Sequence, residues 1–318
     1  MKALKIVIIS LVLFLSGCEQ FALWGTPQKE ASVSKDNAVV LSKAHFWETL
    51  HAGNYQDLSE VINELTLAYL NHPNDTQLAS YLGFAHAWKL TERQREKKIP
   101  PDITDEIVLS KKFFSDAVEL NPNDARLKGF LGDMQLVSGK TFGNEREQVK
   151  AYFQLKRAIS LWPEFNYFTA GYVMSTLEPN SKYYSEALEW QWETLNLCAE
   201  TEVSRIDPDF SPYMKLQTDF GVKRVCWNSW IAPHNFEGFF LNMGDMLVKQ
   251  GDWKTAVKIY KNASLSEGYE KWPYRKMLEE RIKHAKENVM NFRMKKPDSP
   301  DKQILFDSGR GCVVCHQD

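Results

Sequence analysis

Amphipathic segments that end on the same kind of stop dominate this sequence. In "DLSEVINELTLAYLNHPND", Leu58, Val61, Ile62, Leu65 and Ala68 fall on one helical face, and His72-Pro73-Asn74 ends the helix. The stop recurs as "ELNPND" around Pro122 and as "SLWPEF" around Pro163. Strand-like alternation is scarce throughout. A helix with one apolar stripe must bury it against a neighbour, and recurring units of this length stack into arrays. The expected fold class is therefore all-α, a helical solenoid.

One unit keeps its spacing without a gap: Phe240, Met243-Gly244, Leu247, Gly251, Ala256, Tyr260 and Ala263. It resembles the tetratricopeptide repeat, in which small residues let two helices approach and large ones fill the seam. The closing proline is absent. Leu82-Gly83 opens an earlier unit that Phe114, Ala117 and Pro122 close, with "TERQREKKIPPDITD" inserted between its halves. Leu131-Gly132 and Gly139 open the next, which Ala151, Ala158 and Pro163 close, with extra residues around "TFGNERE". The first unit keeps Leu65, Ala68 and Pro73 but lacks the Leu-Gly pair. The fourth, with Tyr167, Ala170-Gly171, Met174 and Ala187, is weaker still. The resemblance implies a tetratricopeptide-like solenoid whose curved surface holds a protein partner.

The chain divides accordingly. Residues 42–198 read as repeats, 199–234 as an inserted, proline-punctuated loop region, and 235–292 as the clean repeat plus one long capping helix. Residues 293–318 read as a charged linker and a C-terminal segment, in which Ile304, Leu305 and Phe306 are expected to dock.

That segment ends in "RGCVVCHQD". Cys-x-x-Cys-His is the attachment signature of a c-type haem. Cys312 and Cys315 are the expected covalent anchors of one haem c, and His316 the expected proximal iron ligand. Gly309 and Gly311 argue against a long terminal helix. No second Cys/His pair stands nearby to complete a tetrahedral zinc site. A sixth ligand from this chain lies upstream. His234, in "IAPHNFEG", is ranked first as a distal ligand. His45, His51, His72, His86 and His284 rank below it, and Met243, Met246, Met277, Met290 and Met294 are further candidates. An open or water-bound distal site is the alternative. Trp227, Trp230, Trp253 and Trp272 are expected to pack repeat seams rather than cover a haem face.

The other end supports an extracytoplasmic setting. Lys2 and Lys5 precede an apolar run and then Leu15-Ser16-Gly17-Cys18. The run is too short for the ~20 residues of a spanning helix. Residues 1–17 resemble a bacterial lipoprotein signal, which implies lipidation of Cys18, a linker over 18–41 and anchorage in the envelope. Glu19 favours the outer membrane, facing the periplasm. Removing Lys2 and Lys5 from 39 basic residues leaves 37 against 41 acidic ones, so the net charge moves from −2 to −4. That balance gives no reason to expect nucleic acid. In an oxidising compartment Cys198 and Cys226 either pair or stay as buried thiols.

No nucleotide loop and no nucleophile–histidine pair can be assigned, so no catalytic residues are named. The expectation is a membrane-anchored haem protein for electron transfer and partner binding, a carrier rather than a catalyst. A peroxide-reacting or small-ligand haem protein, and a haem-free assembly adapter, are the alternatives.

Overall fold

The structure is a computed structural model that describes residues 29–227, 236–294 and 302–317, with Gly25 and Ser299 besides. The signal segment 1–17, Cys18, Trp230 and His234 lie outside the described residues.

The fold is all-α. Among the described residues, five helix pairs follow one another: α1 Asn37–His51 with α2 Leu58–Asn71, α3 Thr76–Thr91 with α4 Asp105–Leu120, and α5 Ala125–Thr141 with α6 Glu145–Leu161. Then come α7 Pro163–Met174 with α8 Lys182–Ala199, and α9 Phe236–Gln250 with α10 Trp253–Lys261. Two short helices, α11 Arg275–Lys283 and α12 Ala285–Asn291, cover the last pair, and a single turn, α13 Val313–His316, lies near the end of the chain. Each helix of the five pairs packs on its successor, and α5 also packs on α7, so the pairs stack as a helical-repeat solenoid. Among the described residues β-structure amounts to one bridge, Ser32 to Asp75.

The stops are also starts. α2 ends at Asn71, and the Asp75 side chain that follows Pro73 accepts from Gln77 and Leu78 N–H at 3.0 and 3.1 Å. Asp124 repeats this after Pro122, accepting from Arg126 N–H at 2.9 Å. Each aspartate satisfies donors that the first helical turn leaves orphaned. Pro163 instead occupies the first turn of α7, where its missing N–H costs nothing.

The glycine of the Leu-Gly pairs is fixed by close approach. A Cβ on Gly244 would sit 2.2 Å from the Tyr260 ring, and one on Gly83 2.9 Å from the Phe114 ring. Both rings belong to the second helix of the same pair.

Two expectations change. The capping helix is not continuous: it breaks at His284, whose φ of −105° and ψ of 16° leave the helical region. His284 there turns to Glu287 and Glu280, at 2.9 and 3.3 Å, acidic partners on both sides of the break. The inserted loop is held rather than slack. Cys198 and Cys226 form a disulfide. Asn262 accepts from Phe210 N–H at 2.8 Å and donates to Pro208 O at 2.7 Å. Phe210 and Trp227 are buried with Phe236 and Phe240, so Trp227 is a packing residue.

Gly244→Ala should force Tyr260 to move in a packed seam and destabilise the chain by about 1–3 kcal/mol. The measurement is a thermal melt by circular dichroism; an unchanged Tm would show that the seam has room.

Candidate cofactor cavity

The segment 302–317 does not hang free. It returns along the face made by the first helices of the pairs. Leu305 N–H donates to Asp245 Oδ2 on α9 at 2.8 Å, and Gln94, just past α3, donates to Asp307 O at 3.0 Å. Ile304 and Leu305 are buried, as their apolar character predicts. Gly309 has φ of 73°, a conformation open to glycine, and lets the chain turn there. Gly311 passes through a slot: a Cβ on it would meet Thr91 Cγ2 at 2.8 Å and the Tyr172 hydroxyl at 2.9 Å.

α13 is then pinned from several sides. Glu92, the residue that ends α3, accepts from Cys312 and Val313 N–H at 2.9 and 2.8 Å through one oxygen. Arg95 donates to its other oxygen at 2.9 Å. A carboxylate under a helix start satisfies its orphan donors. Burial still raises the Glu92 pKa, and the two N–H bonds oppose that rise. Tyr172 donates to Gly311 O, and Trp272 Nε1 to Val314 O at 3.1 Å. Gln317 accepts from Tyr274 and donates to Ala52 O at 3.2 Å, so α13 is tied to the end of α1 as well.

Beside α13 lies a cavity of about 570 Å³, within the ~300–1,000 Å³ of small-molecule and cofactor sites. Its wall is mostly hydrocarbon and aromatic: Phe46 and Trp47 of α1, Trp88 of α3, Phe114 of α4, Phe130 and Met134 of α5, and Phe306 of the returning segment. Cys312 and His316 open onto it. Cys315 sits on the same turn but is buried against the core behind the wall. Both thiols are held protonated: burial raises Cys312 well above the usual range, and burial first, then Glu237 and Glu92, pushes Cys315 up to about 12.

Of the upstream histidines and methionines considered from the sequence, His234 lies outside the described residues, and the others do not line this cavity with His316. His45 bonds Glu64 at 2.8 Å, a contact that raises its pKa. His86 is buried, bonded to Glu106 and stacked on Phe113. His51, His72 and His284 are likewise not on its wall. Met243 and Met246 are core residues, Met277 packs against the core, and Met290 and Met294 are exposed. Trp272 holds the α13 backbone, and Trp253 packs on the core.

What the sequence reading missed stands in α5. Met134 is the cavity's methionine, and Asp133 next to it lines the cavity too. Asp133 Oδ1 is buried with no hydrogen-bond partner. Burial alone, with no nearby charge, raises its carboxyl well above the ordinary 3.8. Phe130, Met134, Val137 and Thr141 follow helical spacing into the cavity, a signal that could have been read.

Among the described residues, no three His, Cys, Asp or Glu side chains converge as a metal-ion site, and no helix is long and apolar enough to cross a membrane. The chain matches no protein-family profile, no curated protein and no solved structure.

An unpartnered buried carboxyl opposes folding by about 1–3 kcal/mol. Its raised folded-state pKa adds a charge-dependent part to that penalty, absent below the unfolded value near 3.8, growing as pH rises above it and complete above the folded value. Asp133→Leu should therefore raise the Tm of the chain at pH 7, with the gain shrinking toward pH 4. A gain independent of pH would point to packing instead.

Proposed function

We propose that the chain is a lipid-anchored c-type haem protein of the cell envelope that carries electrons. Cys312 and Cys315 hold one haem c, and His316 is its proximal ligand. The observation that carries this reading is that Cys312 and His316 open together onto a large, aromatic-walled cavity. The residues fit the group in size and chemistry: a hydrocarbon body for the ring, a histidine beside the anchors, and charged groups at one end. Attachment requires Cys315 to turn its thiol from the core onto the same wall.

A bound haem supplies one-electron exchange at its iron. The chain supplies the rest. Phe46, Trp88, Phe114 and Phe130 exclude water from the cavity and so disfavour uncompensated charge within it. Glu92, Tyr172 and Trp272 hold the α13 backbone on three sides and fix where His316 stands. Cys18, carrying lipid, would tether the solenoid to the outer membrane from the periplasmic side. A protein partner would dock on the solenoid away from the face that the returning segment occupies.

Protein produced with a cytochrome c maturation system should retain one haem per chain through acid–acetone extraction, read as pyridine haemochrome. Cys312→Ala with Cys315→Ala should retain none. Absence of covalent haem in the unaltered chain would leave the assembly-adapter reading in its place.

One observation favours a second reading. Asp133 gives the cavity a half-buried carboxyl whose Oδ1 has no hydrogen-bond partner, a group that would suit a small polar ligand held there. Carbon monoxide added to the ferrous protein separates the two. A six-coordinate spectrum indifferent to the gas supports the carrier, and a prompt shift supports the ligand-binding protein.

A further inference from the structure

The wall of the cavity is mostly apolar, and its acidic and basic side chains apart from His316 are Asp133 and a group at one end. At that end Arg93, Lys140 and Asp307 line the wall. Lys140 Nζ donates to Thr176 Oγ1 at 3.0 Å, and Lys249 Nζ, off the wall, donates to Ser175 O at 2.6 Å. Adjacent residues thus receive the two ammonium groups, which places the lysines side by side. Gln94, next to Arg93, holds Asp307 through its carbonyl, which brings the guanidinium to the same end.

These charges are near one another without touching. Burial raises the Asp307 carboxyl, and Lys140, Lys249 and Arg93 pull it back. Both lysines also feel the exposed Glu178, while burial lowers Lys140 and takes Lys249 to about 8. Among the described residues, none of the three cations lies within 4.0 Å of a carboxylate. Burial alone shifts Asp133, with no effect from these three cations, which sets it apart from the charged end.

Helix capping is the simplest competing account. Arg93 Nη1 donates to Leu90 O at 2.8 Å, and both lysines bond the turn that follows α7. Capping leaves donors over: of five guanidinium N–H groups Arg93 uses one, and of three ammonium donors Lys140 uses two and Lys249 one. It also gives no reason to gather three cations around one buried carboxyl at the end of an apolar cavity. Cations with spare donors at such a place suit the carboxylate edge of a flat, otherwise apolar ligand.

We propose that Arg93 and Lys140, supported by Lys249, form the carboxylate-binding end of this cavity and take the two propionates of the haem. The proposal rests on the haem reading above and assigns which edge of the group faces this end.

The test uses the full mature chain carrying Cys312→Ser and Cys315→Ser, so that binding is reversible. Haemin and haemin dimethyl ester, which lacks the two carboxylates, are titrated by quenching of tryptophan fluorescence. Circular dichroism confirms that each variant is folded. The chain should prefer haemin to its diester. Lys140→Gln and Arg93→Gln should each weaken haemin by about tenfold, the loss of one charge-assisted bond. They should leave the diester nearly unchanged, and Lys140→Arg should keep most of the preference. Equal weakening of both porphyrins, or equal affinity of the parent chain for both, would overturn the proposal and leave the haem reading standing. Failure of the folded chain to bind either porphyrin would count against the haem reading itself and remove the proposal with it.

Discussion

Glu92 places a carboxylate beneath the first turn of α13, and the position of the Cys-x-x-Cys-His segment depends on it. A one-turn helix has almost no stability of its own, because nucleation fixes several residues for very few bonds. It exists here because its N–H groups are received from outside. Trp272 and Tyr172 do the same for carbonyls on either side. The carboxylate is itself buried and is balanced by Arg95. Losing it would release two backbone donors and leave Arg95 without its carboxylate, so Glu92 shares with Tyr172 and Trp272 the placing of the turn that carries His316.

The returning segment also explains what fills the inner face of the solenoid. Stacked helix pairs leave a concave surface that usually receives a peptide, and here residues 302–317 of the same chain lie in it. Asp245 marks the point of entry. It receives Leu305 N–H and the Tyr260 hydroxyl, with Arg281 3.5 Å away, and these partners offset much of what burial does to its carboxyl. The cavity is the remainder of that groove, walled on one side by the chain's own end.

The helix pairs were readable because their constraints are local. Gly83 and Gly244 make room for a ring, and Gly132 for Leu155, on the second helix of the same pair, and each Pro-Asn-Asp both ends and starts a helix within a handful of residues. The Cys-x-x-Cys-His signature was equally local. The cavity was not readable, since its wall is assembled from α1, α3, α4, α5, α7 and the segment after residue 302. Asp133 and Met134 were hidden because "LGDMQL" fits the repeat spacing, which explains its leucines and glycine and passes over what lies between them. The break at His284 escaped for a different reason: the flanking residues are good helix formers, and nothing in the sequence marks where its backbone leaves the helical region.

Val313 belongs to the apolar cluster built from α1 to α5, whereas Val314 and Cys315 belong to the cluster built from α6 to α12. Neighbouring residues thus rivet two cores, and Tyr274 packs against both beside them. Repeat arrays ordinarily grow by nearest-neighbour steps and fray from their ends. In this chain the ends are fastened to each other through a third element, with Gln317 bonded to Ala52 across 265 positions. The contacts that close it span most of the chain, so they form after the pairs that they join. The solenoid then behaves less like an open spring than like a ring with a clasp, and the clasp is the segment that carries the two cysteines.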